Sequence, residues 1–173
     1  MPAHTLNAKV RVNFRGKPYL GEVTLPHGHA RVSDLLNDSH PFLYLDSVSG
    51  ASVIPADSAL ALNKADINFV QALDEGLPPN PTRIVQGEYI QVAVTMRQPE
   101  MHLHGHVFVP DGLGDPGLIV NDDRRFLSLR DVGIADSDEH YDYLAVSKAQ
   151  CIAITVGLPV CLITGSQVGL KIS

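Results

Sequence analysis

Clustered positive charge is missing from this chain. Its 173 residues carry 13 Lys and Arg against 19 Asp and Glu, a formal charge of −6 at pH 7, and no basic run interrupts that balance. Affinity for a phosphate backbone comes from clustered Lys and Arg, so no nucleic-acid partner is expected. Long apolar runs are missing too, since no stretch approaches the roughly 20 residues of a membrane-crossing helix. The start, Met1-Pro2-Ala3-His4-Thr5-Leu6, lacks the basic and apolar segments of an export signal. No membrane partner is expected, and cytoplasmic localisation is the default expectation. Cysteine is scarce: Cys151 and Cys161 each stand in an apolar stretch, a pattern of reduced core thiols and not of a disulfide framework. G-x-S-x-G, Walker, C-x-x-C and H-E-x-x-H patterns are all absent, which leaves hydrolase, nucleotide and zinc-ribbon readings without support.

What is present is a core-forming composition, 45% apolar and 18% charged, written as an internal repeat. An offset of 84 positions carries Gly21-Glu22-Val23 onto Gly105-His106-Val107, Pro26-His27-Gly28 onto Pro110-Asp111-Gly112, and Asn37-Asp38 onto Asn121-Asp122 without a gap. Phe42-Leu43-Tyr44-Leu45 falls on Phe126-Leu127-Ser128-Leu129, Val48 on Val132, and Leu60 to Ala65 on Leu144 to Ala149. The matched residue types set turns or fill cores. Two expectations follow: groups shared by both copies maintain shape, and groups present in one copy are candidates for function.

Within copy one, Lys9 to Phe14 alternates apolar and polar as a half-buried strand does, Arg15-Gly16-Lys17-Pro18 turns the chain, and Tyr19 to Leu25 returns. Val32, Leu35 and Leu36, with Ser33 as the expected cap, predict a short helix ending at Asn37-Asp38. Phe42 to Val48 predicts a third strand. Leu60 to Leu62 and Ile67 to Val70 predict a closing hairpin around Asn63-Lys64-Ala65-Asp66. Copy two follows the same order, with Asp115-Pro116-Gly117 shortening or abolishing the helix. The expected fold is mainly β: two tandem small, partly open barrels of the SH3-like or Sm-like class, each with a short helix at most. The expected divisions are repeat one at 1–73, a proline-rich joint at 74–88 around Pro78-Pro79-Asn80-Pro81, repeat two at 89–157, and a C-terminal hairpin at 158–173 built from Val160 to Thr164 and Val168 to Ile172. Ser33-Asp34-Leu35-Leu36-Asn37, Phe42-Leu43-Tyr44-Leu45 and Asn63-Lys64 resemble an uncharacterised family of small bacterial β domains with an S-D-x-L-N, F-L-x-L and N-K signature. That resemblance implies no activity.

Few constellations suggest chemistry. Met101-His102-Leu103-His104-Gly105-His106-Val107-Phe108 resembles the H-P-x-H-L-H-G-H-x-F copper motif of multicopper oxidases, although the H-W-H-G, H-x-H and H-C-H partner segments are missing. On an extended strand His102, His104 and His106 point to one face about 6–7 Å apart, so two of them could share a metal. Copper or zinc on these three residues is the only cofactor reading the chain offers. In copy one the same positions hold Pro18, Leu20 and Glu22, which favours a solvent-facing polar strand. His27 and His29 read as exposed loop residues. Arg11 to Arg15 fits half of a cyclic-dinucleotide pattern, but Leu45 stands where Leu45-Asp46-Ser47-Val48-Ser49-Gly50 would need an acid or amide. Asn37-Asp38 and Asn121-Asp122 read as side-chain-stabilised turns, and Lys64 and Lys148 as solvated turn lysines. Asp123, Arg124 and the acidic stretch Asp136 to Asp142 occur in copy two alone and read as a recognition surface. No catalytic residue is expected. The leading expectation is a non-enzymatic module with a protein partner, or one that self-associates into a homo-oligomer through a sheet edge. The alternatives are metal binding at the histidine strand and, more weakly, sensing of a small ligand or cyclic nucleotide.

Overall fold

Alternation along the strands decides which face of the sheet is buried. In β1 (Leu6–Phe14), Ala8, Val10 and Val12 are buried while Lys9 and Arg11 face outward. Arg15 and Gly16 both take positive φ (49° and 78°), the backbone a two-residue hairpin turn needs to match strand twist. They return the chain as β2 (Lys17–Leu25), in register from Phe14↔Lys17 to Leu6↔Leu25. A six-residue helix α1 (Val32–Asn37) buries Val32 and Leu36 and leads to β3 (Phe42–Ser49) and β4 (Leu60–Asn63). A 3-10 turn (Lys64–Asp66), capped by Asn63 Oδ1 accepting from the Ala65 N–H at 3.0 Å, redirects the chain into β5 (Ile67–Asp74).

The same order follows again: β6 (Gly87–Arg97), β7 (Glu100–Pro110), α2 (Gly117–Val120), β8 (Phe126–Ile134), β9 (His140–Ser147), a 3-10 turn (Lys148–Gln150) and β10 (Cys151–Pro159). As Asp115-Pro116-Gly117 implied, α2 is shorter than α1. This computed structural model describes residues 5–26, 31–49, 55, 58–74 and 86–159. The prolines of the joint, His27, His29, Cys161 and the C-terminal hairpin of the sequence reading lie outside the described residues.

Strand pairing corrects two expectations. The chain is mainly β, but its strands do not separate into two barrels: they form one antiparallel sheet in the order β10-β6-β7-β8-β9-β5-β1-β2-β3-β4, which among the described residues is not closed. The reason is β5, which pairs with β1 on one side (Val12↔Val70) and with β9 on the other, through Phe69↔Val146 and Val70↔Ala145. Nor do β4 and β5 form a hairpin. β4 pairs with β3, from Phe42↔Asn63 to Leu45↔Leu60, and the 3-10 turn carries β5 away to the far side of β1. β9, the 3-10 turn at 148–150 and β10 do the same, with β9 on β8 and β10 on β6.

Among the described residues, two apolar clusters form the core and exchange residues across the β5–β9 joint. The first gathers Val10, Val12, Val23, Leu36, Leu45 and Ile67 and takes in Phe126 and Ala145 from the second half. The second gathers Ile90, Val92, Leu103, Leu129 and Leu144 and takes in Phe69 from the first.

Gly21 and Gly105 are matched for a steric reason. Each lies where the register shifts, between Leu20 and Glu22 against β3 and between His104 and His106 against β8. A Cβ on Gly105 would stand 3.0 Å from the Arg130 carbonyl oxygen and 3.1 Å from Val132 Cγ2; one on Gly21 would stand 3.1 Å from the Asp46 carbonyl oxygen. Gly105→Ala is therefore expected to lower stability by about 1–3 kcal/mol, read as a lower urea midpoint at unchanged m-value.

Candidate functional site

Alternation on β7 places the three histidines of the sequence reading on the face opposite the core, flanking buried Leu103 and Gly105. Antiparallel pairing sets His102 opposite Thr95, His104 opposite Ala93 and His106 opposite Gln91 on β6. His102 Nδ1 lies 3.2 Å from Thr95 Oγ1. The His104 ring covers Gly133 on β8, so closely that a Cβ there would come within 2.5 Å of Nε2. His106 is half-buried, with Nδ1 unpaired, and Arg130 is its register partner on β8. Among the described residues, no group of three or more His, Cys, Asp or Glu side chains is placed to hold a metal ion.

Two lysine–aspartate pairs, 84 residues apart, lie where sequence reading expected solvated turn lysines. Lys64 is 2% exposed. Its Nζ donates to the Leu35 carbonyl oxygen at 2.6 Å and to Asp38 Oδ1 at 2.7 Å. Lys148 Nζ donates to Asp122 Oδ1 at 2.6 Å, the Asp122 carbonyl at 3.0 Å and the Ile119 carbonyl at 3.4 Å. Both backbone N–H groups also donate at 2.9 Å, to Pro41 O and Arg125 O. A residue in a 3-10 turn thus ties the end of the short helix and the start of the next strand together. Of the side-chain-stabilised turns expected at Asn37-Asp38 and Asn121-Asp122, the aspartates make the turn bonds, each also accepting from the backbone N–H two residues on, at 2.8 and 3.1 Å.

Burial by itself raises the carboxyl pKa of both aspartates. For Asp38, hydrogen bonds from Lys64 and from the His40 N–H and ring more than offset this, and for Asp122 those from Arg124 and Lys148 do, so each lies below its ordinary value of 3.8. The Cys151 thiol is pushed up to about 11, chiefly by burial, and its Sγ donates to the Ser147 carbonyl at 3.1 Å, which fits the reduced core thiol of the sequence reading. Sequence offered one usable signal for the lysine ties: Asn-Asp and Lys recur at the same offset.

The joint between the halves is the remaining polar site. Asn37, at the end of α1, accepts from the Phe126 N–H at 2.8 Å through Oδ1 and donates to the Phe126 carbonyl at 3.4 Å through Nδ2, so a side-chain amide pairs with the first residue of β8 like a short piece of strand. Gln150 Nε2 donates to the Ala65 carbonyl oxygen at 2.6 Å, linking the two 3-10 turns. Beside the joint a broad cleft of about 1310 Å³ opens between β1, β2 and the β8–β9 connection. Arg11, Asn13, Tyr19, Gln71, Met101 and Tyr141 line it. Asn13 Oδ1 and Gln71 Oε1 have no partner there. Tyr141 is pushed up to about 12 by burial and by Glu139, whose Oε2 accepts its hydroxyl at 2.7 Å. The copy-two acidic stretch begins beyond β8 as an exposed connection, and Arg124 folds back onto Asp122 with Nε 2.6 Å from Oδ2.

No family model, curated protein or solved structure matches this chain.

Proposed function

We propose that the chain consists of two equivalent β units in tandem and works as a non-enzymatic interaction or assembly module. The polar groups the units share are taken up by structure: Lys64 with Asp38, Lys148 with Asp122, and Asn37 with the backbone of Phe126. The observation that carries the reading is the open sheet. Among the described residues, β4 and β10 each pair on one side only, and they are unlike strands at opposite ends of a ten-strand order. An unpaired strand edge is a template for another chain.

The experiment is affinity capture with immobilised protein and native lysate, using the wild type beside a variant altered on both outer strands, Ala61→Glu with Ala153→Lys. Ala61 and Ala153 are exposed, so the substitutions are expected to leave the fold intact. The wild type is expected to retain one protein stoichiometrically, either a foreign chain or a further copy of itself, and the double variant to lose it. Equal retention by both, or none by either, overturns the reading.

A further inference from the structure

The inner joint describes a surface that the two ends of the molecule also possess. Applying the 84-residue offset to it turns Phe69↔Val146 and Val70↔Ala145 into Ala153↔Leu62 and Ile154↔Ala61, a pairing of β10 with β4. One chain cannot make that pairing in its open sheet, because the two strands lie at opposite ends.

Exposure follows the same logic. Phe126 is 1% exposed at the inner joint, whereas its equivalent Phe42 is 43% exposed. Ala145 is buried and Ala61 exposed; Asn68 is buried, yet Ile152 in its place is 58% exposed. Leu36 is fully buried, while Val120 is only half-buried. These differences between equivalent positions fall on the β3–β4 end and on the α2–β10 end.

The asparagines agree. Asn37 holds the backbone of Phe126 across the inner joint; its equivalent Asn121 is exposed and donates to the Gly117 carbonyl of its own helix at 3.1 Å. By the same offset its target is the backbone of Phe42, which belongs to the other end of the sheet.

We infer that the missing partner is a second copy of this chain, joined head to tail. β10 of one molecule pairs with β4 of the next, Phe42 enters the second core of its neighbour, and Asn121 holds the Phe42 backbone as Asn37 holds that of Phe126. The contact is heterologous, so it propagates until the rotation closes a ring, and two chains are the smallest ring available. The outer joint is thinner than the inner one. Ala153 replaces Phe69, and Asp66, already paired with Arg15 at 2.9 Å, replaces the donor Gln150. Assembly is therefore concentration-dependent.

This inference rests on the tandem-module reading, and its test separates the two. The mass of the full chain is followed by light scattering between about 1 and about 200 µM, a range that spans micromolar affinities. The wild type is expected to rise above the monomer mass across that range. Ala61→Glu alone, with a blocked β4 edge, and Ala153→Lys alone, with a blocked β10 edge, are each expected to stay monomeric. Mixed in equal amounts, they are expected to form a one-to-one dimer that grows no further, because each supplies the edge the other lacks. A monomeric wild type overturns the inference. If that monomer still captures a foreign protein through the same edges, the module reading stands without self-assembly. Two monomeric variants that fail to join when mixed, or a wild-type oligomer indifferent to both substitutions, also overturn the inference.

Discussion

Lys64→Ala is expected to cost about 3 kcal/mol of folding free energy, since removing one partner of a buried ion pair strands the other. The magnitude follows from where the ammonium sits. Its side chain is 1% exposed and that of Asp38 14% exposed, so neither Asp38 Oδ1 nor the Leu35 carbonyl regains full hydration when the amine is deleted. The equivalent Lys148→Ala is expected to cost less, about 1–2 kcal/mol, because the Lys148 and Asp122 side chains are 16% and 29% exposed and water replaces part of what is lost. Urea titration should show the Lys64 variant shifted by about 1–2 M at near-neutral pH. Acid gives a second readout. Asp38 lies below its ordinary value of 3.8 in the folded chain, so its contribution is fully present above that value and is lost as pH falls through the lower, folded one. The gap between wild type and Lys64→Ala should therefore narrow in acid below about pH 4. A gap that stays constant down to that range would mean that the amine contributes packing and not charge.

Phe126→Ala is expected to be the most damaging truncation at the joint, about 3–4 kcal/mol, for it empties a site in the first core with a side chain supplied by the second half. Phe42→Ala, 84 residues earlier in the chain, is expected to cost under about 0.5 kcal/mol when measured at protein concentrations too low for association. The contrast is one of environment, 1% against 43% exposure for the same residue type at positions 84 residues apart. Equal losses would show that the joint does not distinguish the two positions. A large loss at Phe126 combined with an unchanged backbone bond from Asn37 would separate packing from hydrogen bonding there.

Much of the backbone was legible because its signals are local. Alternation marked β1, Arg15-Gly16 marked the first turn, and Asp115-Pro116-Gly117 foretold the shorter second helix. The offset found through glycine, proline and phenylalanine also carries features that no propensity announces: Ser47 and Asp131, one offset apart, both have positive φ (53° and 50°). What escaped is non-local. A lysine in a turn looks solvated unless one knows that the carbonyl at the end of a helix 29 residues earlier lies 2.6 Å away. Likewise, β5 reads as an ordinary strand of its own unit, and nothing in Ile67 to Val70 states that its second neighbour is β9. Two barrels and one continuous sheet have the same strand pattern; they differ in which strand meets β5 on its second side and in whether β4 and β5 close on each other. The histidines were placed correctly on one face of β7, and their surroundings of Thr95, Gly133 and Arg130 were beyond sequence because β6 and β8 supply them.

The order of pairing also has a consequence for the nascent chain. β1 to β5 are complete once residue 74 has left the ribosome, but the strand that covers the second side of β5 starts at His140. At about 5–20 residues per second, β5 stands uncovered for several seconds while β6 to β8 are translated. Throughout that interval a neighbouring polypeptide on the same messenger can offer its own β9, so the joint that unites the two halves is also the step most exposed to exchange between molecules during synthesis.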